Sequence, residues 1–215
     1  MARQLRAEQT RATIVGAAAD LFDRRGYEST SLSEIVAHAG VTKGALYFHF
    51  AAKEDLAHAI MEIQSTTSRR LATELAARGY TALESLMRLT FGMARLCEEG
   101  PVLRAGLRLA AGGVPVRPPL PHPFTEWREI ATSRLLDAVR QSDVHPDIDV
   151  ASVAHTLVCS IVGTRLVSGA LEPAGRQPRR LAEMWHILIR GMVPVTRRAR
   201  YVTLAARLER ETPTP

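Results

Sequence analysis

Hydrophobic residues recur at three- and four-residue intervals along almost the whole chain, and this period constrains the fold more than any other feature. Ile14, Ala18, Leu21 and Phe22 fall on one face of a helix from about Glu8 to Arg25, which Gly26 is placed to end. The two-residue alternation that marks strands is nearly absent, so the chain reads as all-α. Further helices are expected at about 53–77, 81–98, 102–111, 125–140, 150–171, 181–193 and 197–210. The segment "GGVPVRPPLPHP" carries five prolines and must be a loop.

At 215 residues the chain can bury a real core, as one large domain or as a small domain joined to a larger one. It is 46% hydrophobic and 23% charged, ordinary for a globular protein, and no uninterrupted apolar run approaches the roughly 20 residues of a membrane helix. No membrane partner is expected. The N-terminus lacks an apolar core with a cleavage site, so a cytoplasmic location is the expectation. Cys97 and Cys159 lie far apart in apolar helical contexts, which suits buried reduced thiols. The net charge of +6 is concentrated late: residues 176–215 hold nine arginines against three acids, whereas residues 1–50 hold six basic and five acidic groups. Of the 28 basic residues only Lys43 and Lys53 are lysines, and they bracket an unusual stretch.

That stretch, "VTKGALYFHF", places three aromatics and a histidine in four consecutive positions. Before it, "SLSEIVAHAG" offers Ser31 and Glu34 at capping-box spacing, an apolar stripe of Leu32, Ile35, Val36 and Ala39, and a stop at Gly40. Thr42 can cap the next helix, Lys43 to about Phe50. Two short helices joined by a glycine-containing turn make a helix-turn-helix. In the second helix Leu46 and Phe50 stack at i and i+4, as do Lys43 and Tyr47 on a different face, so one pair packs inward and the other reaches out. Adjacent aromatics are about 100° apart and cannot all face one core. A recognition helix in the major groove needs edge phosphate anchors, a small residue at close approach and side chains that touch bases. Ser33, Thr42, Lys43, Gly44, Tyr47, His49 and Lys53 are the candidate DNA-binding residues; Thr42 and Lys53 would clasp phosphates, helped by helix N-terminal amides. Arg3 and Arg6 form a possible DNA-reaching arm.

The segment from Arg11 to Leu56, with Phe22, Gly26-Tyr27, Ile35, Ala39-Gly40-Val41, the run Gly44 to Phe50 and Lys53-Glu54-Asp55-Leu56, strongly resembles the DNA-binding domain of TetR-family transcriptional repressors. The resemblance implies a homodimer on palindromic double-stranded operator DNA, with recognition helices in successive major grooves. By it Tyr47, His49 and Lys53 contact the phosphate backbone, and Lys43 and Gly44 lie close to the bases or the sugar-phosphate chain. A helix-turn-helix three-helix domain at 1–52 and a larger helical regulatory domain for ligand binding and dimerisation at 53–215 are the expected division.

Farther on, "GPVLRAGLRLA", "PHPFTEWREIATSRLLDAV" and "GMVPVTRRARYVTLAARLE" look like the receptors for gamma-butyrolactone autoregulators, which control secondary metabolism and development. That likeness implies a small lactone that enters the helical domain and releases the repressor, and it places Trp127 in the pocket wall. On the residue alone, an indole offers an apolar face and an N–H donor but equally suits a core. Phe91, Leu107, Ile130, Val158 and Val162 are candidate companions. The helices at 150–171 and 181–193 are apolar over more than one stripe and need more than one neighbour. Leu157, Ile161, Leu181, Trp185 and Leu188 are therefore the candidate dimer contacts, pairing two helices from each subunit. A repressor sensing an antibiotic or a fatty acyl compound is the alternative.

An enzyme would need a convergent set. There is no His-Glu-x-x-His, no Cys-x-x-Cys, no nucleotide cradle and no nucleophile elbow. Glu126 and Glu129 have the three-residue spacing of a solvated helix face. No catalytic residue, metal or cofactor is expected.

Overall fold

The computed structural model describes residues 2–114, 122–171 and 176–212, and among them ten helices and no strand. In order these are α1 (Ala2–Arg25), α2 (Leu32–Ala39), α3 (Lys43–His49), α4 (Lys53–Ala77), α5 (Ala82–Glu99), α6 (Pro101–Ala111), α7 (Pro123–Arg140), α8 (Val150–Leu171), α9 (Gln177–Met192) and α10 (Val195–Glu211). Most of the proline-rich segment and the side chain of Arg3 lie outside the described residues. Two boundaries depart from the periodicity by more than two residues. α1 starts at Ala2, so Arg6 sits on a regular helix, and α9 starts at Gln177 because a proline at its first turn is compatible with helix.

Contacts divide the chain into two compact units. The first comprises residues 1–66 and 99–123; the second comprises 67–98 and 124–215. The first unit thus holds α6 and the beginning of α4 together with α1–α3, whereas the sequence places every residue from 53 onward in the regulatory domain. In this unit α1 buries Ile14, Ala18, Leu21 and Phe22 and packs against α2, α3 and α6. Arg104 of α6 donates from Nε to Asp23 Oδ2 at 2.7 Å. The helix-turn-helix follows from local chemistry. Ser31 Oγ accepts from the Glu34 amide at 3.3 Å while Glu34 Oε2 accepts from the Ser31 amide at 2.8 Å, which closes the capping box and holds the Glu34 carboxyl below its ordinary range. Gly40 ends α2 at φ 64°, a left-handed conformation that disfavours side chains. Thr42 Oγ1 then accepts from the Ala45 amide at 3.1 Å to start α3. Leu46 and Phe50 turn inward, 0% and 4% exposed.

The second unit is built around Trp185, which is fully buried among residues of α5, α7, α8, α9 and α10. Its indole Nε1 donates to Thr90 Oγ1 at 2.9 Å, and Thr90 donates to Met87 O at 2.7 Å. The arginine-rich turn of α10 is tied into this unit. Arg197 pairs with the buried Asp143, Arg198 caps the end of α9 through Val193 O and Arg190 O, and Arg200 reaches Glu84. Tyr201, buried beside them, is pushed up to about 12, chiefly by its burial.

One expectation is corrected here. Cys97 is buried but Cys159 is exposed, with its Sγ 3.5 Å from His155 Nε2. α8 holds a stretch, Val150–Ser168, that is long and apolar enough by composition to cross a membrane, although scattered Ser, Thr and His interrupt it, so it is not an uninterrupted apolar run. Only 17% of that stretch is buried within the chain, so much of its apolar surface faces outward and needs a cover.

Candidate functional site

The outward arc of α3 is a compact reading face. Thr42, Lys43, Gly44, Tyr47 and Phe48 are exposed, and Ser33 is exposed on α2. Lys43 with Tyr47 and Gly44 with Phe48 form two i,i+4 pairs side by side. A Cβ at Gly44 would meet only Thr42 Oγ1, at 3.9 Å, so nothing inside the chain demands glycine there; a close approach from outside is what a bare backbone permits. His49 is half-buried, with its ring edge-on to Phe48 at 5.0 Å. Phe48, 79% exposed, is the one member of this arc that the motif reasoning did not assign. Its four-residue offset from Gly44 is the signal that would have found it.

Lys53, the other expected phosphate clasp, stands at the start of α4. Its Nζ donates to Tyr27 O at 2.9 Å and to Thr30 O at 3.1 Å and lies 4.2 Å from the centre of the Tyr27 ring. The amides before α4 are engaged as well, since Asp55 Oδ2 accepts from Ala51 N at 2.8 Å and Ala52 N at 3.0 Å. An acidic side chain thus caps the approach to that helix, holding the two amides that precede it. Tyr27 itself is pushed up to about 12 by burial and by the nearby Glu54.

The second unit encloses a small apolar cavity of about 50 Å³ between α4, α5, α7 and α8. Trp127, Ile130 and Val158 line it, as the sequence suggests. Leu157 and Ile161, assigned from sequence to the dimer, line it too: they share one face of α8 with Val158. The other assigned companions lie elsewhere. Phe91 is packed in the core and faces a separate groove of α4, α5 and α10; Leu107 is buried on α6 in the first unit; Val162 is half-buried but outside the cavity wall. Periodicity places all three on apolar faces but cannot say which apolar space each face meets.

The cavity's polar chemistry is sparse. Thr90 is engaged on both sides by Trp185 and Met87. Trp127 Nε1 is buried without a hydrogen-bond partner among the described residues, a donor that remains to be satisfied. The ring leans on Phe124, with centroids 5.7 Å apart. Glu126, next in sequence, pairs with Arg69, which ties α7 to α4, while Glu129 is exposed, so the two form no acid/base pair.

On the opposite face of α8 a broad groove of about 600 Å³ runs along α9, lined by Thr156, Gly163, Val167, Leu171, Ile187 and Leu188 among others. Val167, Leu171 and Ile187 are 56%, 78% and 73% exposed. Of the assigned dimer contacts, Leu188 faces this groove. Leu181 and Trp185 do not, being 0% exposed in the core of one chain, with Leu157 at 1%. The apolar width of α9 is satisfied largely inside its own subunit.

Residues 14–60 match the family of bacterial regulatory proteins described as the tetR family, and residues 80–194, more than half of the chain, match the tetracyclin repressor-like C-terminal domain. The chain belongs to the TetR family. The A-factor receptor protein of Streptomyces griseus is 43% identical over 192 residues, 87% of this chain; the chain spans 66% of that relative's length. A crystal structure of a gamma-butyrolactone receptor, an ArpA-like protein, is 85% identical with a TM-score of 0.89, covering 96% of this chain and all of that one. CprB from Streptomyces coelicolor, solved in complex with its biological operator sequence, is 87% identical with a TM-score of 0.90 over 96% of this chain and all of its own. This TetR-family chain is a regulator with a DNA-binding helix-turn-helix and not an enzyme. Its similarity to the receptors extends through the unit that holds the Trp127 cavity.

Proposed function

We propose that this TetR-family chain is a cytoplasmic, ligand-responsive repressor that binds palindromic operator DNA as a homodimer and is released by a gamma-butyrolactone-type signal, controlling secondary metabolism or development. The observation that carries the ligand half is Trp127 Nε1, an unpartnered buried donor beside an apolar cavity. A lactone carbonyl satisfies that donor, and an alkyl chain suits walls of leucine, isoleucine and valine. The DNA half rests on the exposed arc of α3, and the dimer on the uncovered α8–α9 groove.

Release follows from the cavity's size. Ligand pockets occupy about 300–1,000 Å³. A space of about 50 Å³ must therefore widen when ligand enters, which shifts its walls. Only a ligand that binds the widened state better than the DNA-bound state can drive release.

The test is fluorescence anisotropy of a duplex carrying the CprB operator against a scrambled control, at several salt concentrations, with and without a synthetic alkyl-bearing gamma-butyrolactone. Specific binding that the lactone abolishes is expected. Release by a fatty acyl compound or an antibiotic, with none by the lactone, would instead select the other ligand class. In the same assay Lys43→Ala should lower the slope of log affinity against log salt by about 0.9 per subunit, as loss of one phosphate contact does. An unchanged slope would remove Lys43 from the phosphate-contacting set.

A further inference from the structure

We infer that Arg165 of α8 is a second ligand-recognition residue of the Trp127 cavity: as the cavity widens, its guanidinium donates to a neutral second carbonyl oxygen beside the ligand's ring. This preference rests on the lactone reading above and adds the class of lactone that the site selects. A space of about 50 Å³ must widen to admit a ligand, and its two ends differ in what widening costs. One end is closed by packed core. Past the wall residues Leu86 of α5, Ala131 of α7 and Leu157 of α8, the next positions on the same faces are Leu83, Leu135 and Ala154, each 0% exposed. A close-packed interior does not open without losing many contacts.

The other end is polar. Past Met93 on α5 and Ile161 on α8, both helices run into one ion pair: Arg165 Nη1 donates to Glu98 Oε1 at 2.8 Å and to Gln177 Oε1 of α9 at 3.3 Å. Arg165 lies four residues after Ile161, on the same face of α8 and about 6 Å farther along its axis. The two side chains of the pair are 22% and 17% exposed, so water reaches them and their rearrangement costs less than opening the core. The start of α7 lies at this end too, because that helix runs from the cavity wall at Trp127 and Ile130 into the core at Leu135 and Ala138. Growth in this direction brings Arg165 into the wall on the same side as Trp127.

A guanidinium carries five N–H donors, and both of these bonds leave from one nitrogen, so Nε and Nη2 have donors to give. Trp127 Nε1 is a donor as well. By contrast, the wall offers little to a ligand that brings a donor of its own: Thr90 Oγ1 already accepts from Trp185, and Ser68 and Thr90 are 1% and 5% exposed. A head group with two acceptor oxygens matches the two donors. Glu98 decides the charge of that head. Its carboxylate already compensates Arg165, so a neutral carbonyl is favoured over a second carboxylate, which Glu98 would repel.

Calorimetric titration of the full-length, DNA-free protein with two synthetic gamma-butyrolactones of equal chain length measures the preference. In one the chain joins the ring carbon next to the lactone carbonyl through a carbonyl group, in the other through a methylene. Wild type is expected to bind the acyl lactone at least about 10-fold more tightly, as a hydrogen bond from a charged donor allows. In Arg165→Met/Glu98→Gln, which strands no charge, the preference should shrink to less than about threefold, whereas Trp127→Ala should weaken both lactones alike. Equal affinities in wild type, a preference that survives the double variant, or tighter binding of a lactone carrying a carboxylate at that ring carbon overturns the inference. Binding of neither lactone brings down the lactone reading itself, and this inference with it. An acyl lactone with a diazirine on the first chain carbon tests wild type directly, so the outcome does not depend on the double variant folding. Photolabelling within one helical turn of Arg165 or Glu98 is expected, and labelling confined to the core end around Leu83, Leu135 and Ala154 contradicts it.

Discussion

Trp127→Ala is expected to raise the lactone concentration needed for operator release by about 100-fold while leaving operator affinity within about threefold of wild type. A tryptophan presents 150–250 Å² and apolar burial stabilises by about 25 cal/mol per Å², so full loss of its contact would reach about 4–6 kcal/mol. Part of that area stays covered by Phe124 and the wall in either state, so about 3 kcal/mol is the fair expectation. Trp127→Phe separates the two contributions. It keeps most of the apolar face and loses the N–H, so it should weaken the response by about 5- to 10-fold, the worth of one hydrogen bond. Calorimetric titration of the DNA-free protein with the synthetic lactone checks both variants. If Trp127→Phe matches wild type, the unpartnered indole nitrogen is not the ligand's anchor; if Trp127→Ala matches it, the cavity is not the ligand site.

Arg197→Ala is expected to destabilise the protein by about 3 kcal/mol, lowering the thermal midpoint by roughly 6–12 °C. The reason lies in Asp143, which is 0% exposed and has Arg197 as its charge partner. Removing the arginine strands a buried carboxylate, which costs more than the pair itself contributes. The arginine side chain is 45% exposed, so water can replace part of it, and the low end of the usual range applies. The double variant Arg197→Ala/Asp143→Asn should recover part of the loss, because no charge is left behind. Thermal unfolding followed by circular dichroism measures all three proteins. A double variant no more stable than the single one would show that the stranded charge is not the cause.

Much of the first unit was legible because its signals act over four residues or fewer. The capping box of Ser31 and Glu34, the glycine stop at 40 and the cap at Thr42 need no distant partner, and each stands where spacing puts it. The outward placing of Lys43 and Tyr47 follows from which residues, Leu46 and Phe50, must go in. The side of α8 that meets the cavity was not legible. That helix is apolar nearly all round, so sequence gives no preferred face; the packing of α5 and α7 against it makes Leu157 and Ile161 cavity walls and leaves Val167 and Leu171 bare.

Trp185 shows the same limit at one residue. Its helix is amphipathic, but a buried indole and an interface indole have one sequence signature, and the hydrogen bond to Thr90, 95 positions earlier in the chain, is what marks it as core. By itself the sequence determined the helices, their caps and the exposed arc of α3, because backbone hydrogen bonding and side-chain period are local. Only the tertiary structure decided that Lys53 turns to Tyr27 and Thr30, that Arg197 meets Asp143 and that Trp127 keeps an unpartnered donor beside a cavity. Each depends on groups brought together from distant parts of the chain, where burial and the absence of competing water set which partner wins.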